Sequence, residues 1–269
     1  DYQYLGGIVG QNSGTVSDAA FSGTIEEKNG SAGNCYGGIA GINMSGAELK
    51  NCSVGKITMT INGVYTATST STAAQKEALA THAGGIVGKN EENAVIDGCT
   101  LENNADSKLT AKYGMLGGVA GFNKGKITMS GSSITPDVMN GADTTDELAA
   151  NAIGQGLSAD GTYVNTRSAS TIENMKYNGG TTLSAGKLEM YMLHNGNIGG
   201  ITAYNGTAGQ LSECVSGKWF LNNKSEAIGV GTGGIIGMNE SQKDLSKLVN
   251  GAFVGRQIGS GDTNRFAGG

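Results

Sequence analysis

The chain has little of what marks several common classes of protein. Among 269 residues there are one proline and two histidines, and only 15% of residues are charged. A single proline argues against a proline-rich linker, and no apolar run reaches the roughly 18–20 residues that a membrane-spanning helix needs. The net charge of −5 argues against a nucleic-acid-binding surface. We therefore expect no membrane insertion and no nucleic-acid partner.

Residues that carry chemistry are also sparse. Neither His82 nor His194 lies in a His-Glu-x-x-His motif, and no cysteine and histidine cluster has zinc-site spacing. A G-x-G-x-x-G match at 229–234 shares its last glycines with a repeat and lacks a surrounding βαβ unit. The acidic residues are scattered along the chain. The sequence thus predicts no enzyme activity, no cofactor and no metal site.

What the sequence does contain is a repeat. A heptapeptide of the form Gly-Gly-(Ile/Val)-x-(Gly/Ala)-x-Asn occurs six times, at 6–12, 37–43, 84–90, 117–123, 199–205 and 233–239. Its first glycines are 31, 47, 33, 82 and 34 residues apart (6 to 37, 37 to 84, 84 to 117, 117 to 199, 199 to 233). Periods in this range indicate a solenoid, whose repeats bury their apolar faces against one another.

Two short segments with the period of a β-strand follow most copies. Leu49, Cys52 and Val54 illustrate the first segment, and 57–61 illustrates the second. Three short strands with Gly and Asn at the corners describe one coil of a parallel β-helix, with strands of successive coils roughly 4.8 Å apart. We predict an all-β, right-handed parallel β-helix of about six to seven coils.

The irregular spacings indicate insertions in a single domain that spans 1–269. We place the insertions at about 55–83 and 135–198. Thr72 and Gln75 have capping-box spacing and predict a short helix over 73–81, and Thr144 and Glu147 predict another. The apolar stretch 188–193 leaves open a degenerate coil. Residues 266–269 resemble the start of a seventh copy, so we expect a fragment of a longer repetitive chain.

The last position of the heptapeptide is always asparagine: Asn12, Asn43, Asn90, Asn123, Asn205 and Asn239. Asparagines at one corner of successive coils can form a ladder of amide hydrogen bonds. Asparagine also tolerates the left-handed backbone of a tight corner. A structural role is favoured over the alternative, in which these amides bind a ligand.

The sixth position is expected to point outward. Four of its six residues are large and apolar, and they form a candidate binding stripe: Ile42, Phe122, Tyr204 and Met238. An exposed apolar stripe can mark a binding surface. The favoured alternative is that the insertions fold back and cover it, because the most apolar copies flank them.

Three of the four cysteines occupy one place in their repeats. Cys52, Cys99 and Cys214 share this position with Ala19 and Leu248, which indicates a buried apolar column. Side chains stacked in parallel are poorly arranged for a disulfide, so we predict free thiols. Cys35 has no counterpart.

The heptapeptide copies resemble the GLUG repeat of bacterial surface proteins. That repeat occurs in adhesin-like proteins and in immunoglobulin A-cleaving zinc metallopeptidases of Gram-positive bacteria. The resemblance implies a secreted or cell-wall-attached bacterial protein. In the peptidases the zinc motif lies outside the repeats, so no catalytic residue carries over. The fifth copy departs from the pattern, with Ala203 in place of glycine.

The leading hypothesis is a non-catalytic β-solenoid segment of an extracellular or cell-wall adhesin or stalk. Its partners would be a host protein or glycan and neighbouring solenoid repeats of the parent chain. One alternative is a substrate-positioning region of a metallopeptidase of the immunoglobulin A-cleaving type. Another is a carbohydrate-binding or carbohydrate-active β-helix, which the missing acidic cluster disfavours.

Overall fold

The chain forms three parallel sheets that stack as the coils of a β-helix, as the sequence predicts. The computed structural model describes residues 3–68, 70–101, 107–128, 139–140, 176–177, 188–216, 220–225, 230–250, 253–256 and 266–268. The helix predicted after Thr144 lies outside these residues.

The first three coils contribute the following elements. Coil one has β1 (Tyr4–Gly6), β2 (Val9–Asn12), β3 (Thr15–Ser17) and β4 (Ala20–Glu27). Coil two has β5 (Cys35–Gly37), β6 (Ala40–Asn43), β7 (Glu48–Lys50) and β8 (Ser53–Ile61), followed by the helix α1 (Ala73–Ala78). Coil three has β9 (His82–Gly84), β10 (Val87–Asn90), β11 (Val95–Asp97), β12 (Thr100–Leu101) and the first half of β13 (Ser107–Gly117).

The remaining coils follow the same plan. Coil four continues from β13 into β14 (Ala120–Asn123) and β15 (Lys126–Thr128), and β16 (Met139–Asn140) and β17 (Lys176–Tyr177) form a separate antiparallel pair. The long β18 (Leu188–Gly199) leads to coil five with β19 (Thr202–Asn205), β20 (Gln210–Ser216) and β21 (Phe220–Asn223). Coil six has β22 (Gly231–Gly233), β23 (Ile236–Asn239), β24 (Leu245–Asn250) and β25 (Phe253–Arg256), and β26 (Phe266–Gly268) follows.

Each sheet runs through the coils in order. The first sheet has 12 strands with the main order β1-β5-β9-β13-β18-β21-β25. The second has the order β2-β6-β10-β14-β19-β23, and the third has the order β3-β7-β11-β15-β20-β24. The heptapeptide copies stack residue on residue, so that Val87 lies between Ala40 and Ala120. The repeat in the sequence is therefore the repeat of the coil.

Parts of both ranges assigned to insertions belong to the coils. Residues 55–61 belong to β8, which pairs with β4 and β13, and residues 188–198 belong to β18, which pairs with β13 and β21. Both segments lie in ranges assigned to insertions, 55–83 and 135–198, but their alternating apolar residues continue the core. The first insertion is reduced to residues 62–81, which we call the strap.

The tight left-handed corner lies elsewhere than predicted. The repeat asparagines end extended strands, and none has a positive φ. Instead, a φ of +51° to +62° occurs in the third sheet's region of four coils: at Asp18, Asn51 and Gly98, which directly follow β3, β7 and β11, and at Glu213 within β20. A glutamate in this conformation is uncommon, which shows that the coil geometry determines the backbone there.

The main core lies between the three sheets, with residues such as Ile39, Leu49 and Met59 fully buried. The glycine at position five of the heptapeptide lets two sheets approach closely. A Cβ on Gly121 would lie 2.5 Å from the Ala83 nitrogen and 2.8 Å from the Gly88 oxygen. Since these neighbours are backbone atoms of the first and second sheets, a side chain has no room there.

Candidate functional site

The six repeat asparagines form one continuous line of side-chain hydrogen bonds. Asn12 donates to Asn43 at 2.8 Å, and the four links that follow, Asn43 to Asn90, Asn90 to Asn123, Asn123 to Asn205 and Asn205 to Asn239, are each 2.9 Å long. The amides also donate within their own coils, as Asn123 does to the Gly125 carbonyl at 3.1 Å. Because the amides are occupied by each other, a ligand could reach the buried ones only by breaking a link.

The candidate binding stripe is largely buried. The exposed fraction is 3% for Ile42, 1% for Phe122 and 0% for Tyr204, and Met238 is half-buried. These side chains therefore do not form an exposed binding stripe. The alternative expectation, that an insertion covers this face, describes Phe122 and Tyr204 correctly.

The strap is the segment that covers them. Its residues Tyr65, Ala67 and Ala80 pack in one cluster with Phe122 and Tyr204. The strap carries α1, which begins as predicted with a capping box: Gln75 N donates to Thr72 Oγ1 at 3.3 Å, and Thr72 N donates to Gln75 Oε1 at 2.8 Å. The helix is shorter than the predicted 73–81, because residues 79–81 lead into β9.

Two neighbouring residues of α1 make ion pairs with different coils. Lys76 Nζ lies 2.6 Å from Glu240 Oε1 and 5.8 Å from the centre of the Tyr204 ring. Glu77 pairs with Lys89 at 2.6 Å and with Lys124 at 3.4 Å. Although burial opposes the charged form of Glu240, its hydrogen bond from Lys76 lowers the pKa of that carboxyl. The sequence does not predict these contacts, because the capping box locates the helix without indicating which residues lie beneath it.

An aromatic column runs beneath the strap. Phe122 stacks on Tyr204 with ring centres 5.0 Å apart and an interplanar angle of 8°, and His82 lies 5.3 Å from Phe122. Burial, together with the Lys89 cation, lowers the pKa of His82 to about 3, although the Glu77 backbone opposes this shift. The imidazole is therefore neutral at physiological pH. His82 is a buried residue of β9.

The four cysteines are free and buried. Cys52, Cys99 and Cys214 lie in the main core with Ala19 and Leu248 packed against it, as the column predicts. Cys35, which had no counterpart in the repeat, is paired in the first sheet with His82, and its Sγ lies 3.7 Å from His82 Nδ1. Burial raises the pKa of Cys35, Cys99 and Cys214 to about 12, which makes these thiols poor nucleophiles.

The outer face of the first sheet carries charged and aromatic side chains on β13 and β18. Lys108 lies over the Tyr191 ring, with 4.9 Å from Nζ to the ring centre, and Tyr191 Oη donates to Glu189 Oε2 at 3.1 Å. Further along the same strands, near their middle, Tyr113 and the exposed His194 stack with ring centres 5.4 Å apart. The alternation in β13 and β18 could have located this face from the sequence, because every second residue of a strand points outward.

The described part of the chain contains no group of three or more His, Cys, Asp or Glu side chains placed to hold a metal ion. Among the same residues, no helix has the length and apolar character needed to cross a membrane.

Comparison with known proteins gives one match. Residues 1–26 match the family model described as the GLUG motif. These residues contain the first heptapeptide and the strands that follow it, so the chain includes a GLUG-motif repeat region. The comparisons found no matching curated protein and no matching solved structure.

Proposed function

We propose that this chain is a non-catalytic β-helix segment of a secreted or cell-wall-attached bacterial surface protein, an adhesin or stalk. The GLUG motif suggests a repeat region of a bacterial surface protein. The continuous asparagine line supports the structural part of the proposal. It joins all six coils through asparagine side chains, all buried except Asn239, in addition to the backbone ladders of three sheets. Such a stack suits a segment that projects other parts of its parent chain.

The outer face of the first sheet is the surface we propose for binding a host protein or glycan. It combines aromatic rings with charged groups at Lys108, Glu189 and Tyr191. Rings with a polar edge suit surfaces that are partly apolar and partly wet. The position-six stripe does not have this role, because Phe122 and Tyr204 are covered.

The location is tested on cells that produce the parent protein. Antibodies raised against this chain should label intact cells as strongly as permeabilised ones. Labelling that requires permeabilisation would refute a surface location.

The binding role is tested with the purified chain on arrays of glycans and host matrix proteins. Tyr191→Ala should weaken any retained ligand, whereas Thr24→Ala, on the same face three coils away, should not. Equal loss of binding in both variants, or no binding by the unsubstituted chain, would refute an adhesive surface around Tyr191 and leave only the role of a stalk. Selective retention of immunoglobulin A would favour the alternative, a substrate-positioning region of a metallopeptidase.

A further inference from the structure

The strap contacts a coil far along the stack from the two coils that it connects. It joins β8 in coil two to β9 in coil three, yet Lys76 pairs with Glu240, 164 residues away and just after β23 in coil six. The Lys76 side chain is only 9% exposed and that of Glu240 28%. This pair is shielded from solvent, unlike the exposed pair of Lys28 and Glu26 in coil one, at 77% and 56%.

The other contacts of the strap are spread over the intervening coils. Glu77 holds Lys89 of coil three and Lys124, which directly follows β14 of coil four. Tyr65 accepts hydrogen bonds from two residues of β18: its carbonyl from Asn195 Nδ2 at 3.4 Å and its hydroxyl from Asn197 Nδ2 at 3.3 Å. One strap therefore touches four successive coils.

These contacts change the way in which the coils depend on each other. In a solenoid each repeat normally contacts only its neighbours, so terminal repeats can open without disturbing the rest. We propose that the strap is a clasp that couples coils three to six into one cooperative unit, with the Lys76–Glu240 pair as its outer attachment. The clasp thereby protects coil six from opening alone.

Hydrogen exchange in the native state tests this, because it reports the opening of each coil separately. In the unmodified chain, the amides of β23 should exchange about as slowly as those of β10. In Lys76→Met, exchange in β23 should rise on the order of tenfold or more, while β10 changes little. Lys28→Met is the matched control and should leave both strands unchanged.

Glu240→Gln removes the same attachment from the other side, which keeps the test available if Lys76→Met fails to fold. The double variant should exchange no faster in β23 than the more affected single variant, because both changes break one contact. The clasp is refuted if β23 and β10 accelerate equally, which would mean a general loss of stability. It is also refuted if neither strand responds.

Discussion

The side-chain amide of Asn43 donates a 2.9 Å hydrogen bond to Asn90 Oδ1, although 47 residues separate them in sequence. The next link, from Asn90 to Asn123, spans 33 residues and has the same length. The strap accounts for the longer separation and leaves the stack undisturbed. An insertion at a corner is tolerated because it adds chain outside the coil while the strands above and below keep their register.

Replacing Asn90 with leucine should destabilise the chain by about 2–6 kcal/mol. The change leaves Asn43 Nδ2 and Asn123 Oδ1 each without their link in a buried site, and each such loss typically costs about 1–3 kcal/mol. Thermal or denaturant unfolding measures it. The control is Asn239→Leu at the exposed end, which removes the link from Asn205 and an exposed hydrogen bond from Ser241 N and should cost less than about 1.5 kcal/mol. Equal effects at both positions would contradict a buried ladder.

Gly121→Ala should destabilise by at least about 2 kcal/mol, since the new methyl group meets backbone atoms that cannot rotate away. Gly14→Ala is the matched control, because a Cβ there has nothing within 4 Å. Denaturant midpoints should separate the two variants. If Gly121→Ala has the same denaturant midpoint as the unsubstituted chain, the first and second sheets are not as close as the structure places them.

The thiols should be unreactive until the chain unfolds. A thiol reagent at pH 8 should modify none of the four buried cysteines of the native protein within minutes and all four in denaturant. The raised pKa of Cys35, Cys99 and Cys214 keeps these groups protonated, and burial hinders access. Fewer than four thiols in the denatured, unreduced chain would reveal a disulfide and contradict the interior column.

His82 should make the stability depend on pH. Its pKa is lowered to about 3 in the fold and is about 6.5 in the unfolded chain, so its contribution is intact above pH 6.5 and is lost as the pH falls toward 3. Between pH 8 and pH 5 the loss should be about 2 kcal/mol.

His82→Met should remove most of that loss of stability. The residues paired with His82 on the adjacent strands of the first sheet, Cys35 and Met115, are buried and apolar, so methionine suits the site. The control His194→Gln changes an exposed residue and should keep the pH dependence of the unsubstituted chain. The attribution to His82 fails if both variants lose stability with pH in the same way.

Much of the fold could be read from local pattern. The heptapeptide located the second sheet, Thr72 and Gln75 located the start of α1, and the shared position of Cys52 and Cys99 indicated a buried column. Each of these depends on residues that repeat or lie close in sequence. The outward position of Phe122 was also recognised, but outward from the coil did not mean exposed to solvent.

Sequence by itself determined the coil, because a repeat with too little apolar surface to fold alone must stack on its copies. Only the tertiary structure decided which face stays open. The course of the strap over Phe122 and Tyr204, and its attachment at Glu240, depend on contacts between residues up to 164 positions apart. No periodicity records such contacts, since they join one unique segment to the repeats and are not themselves repeated.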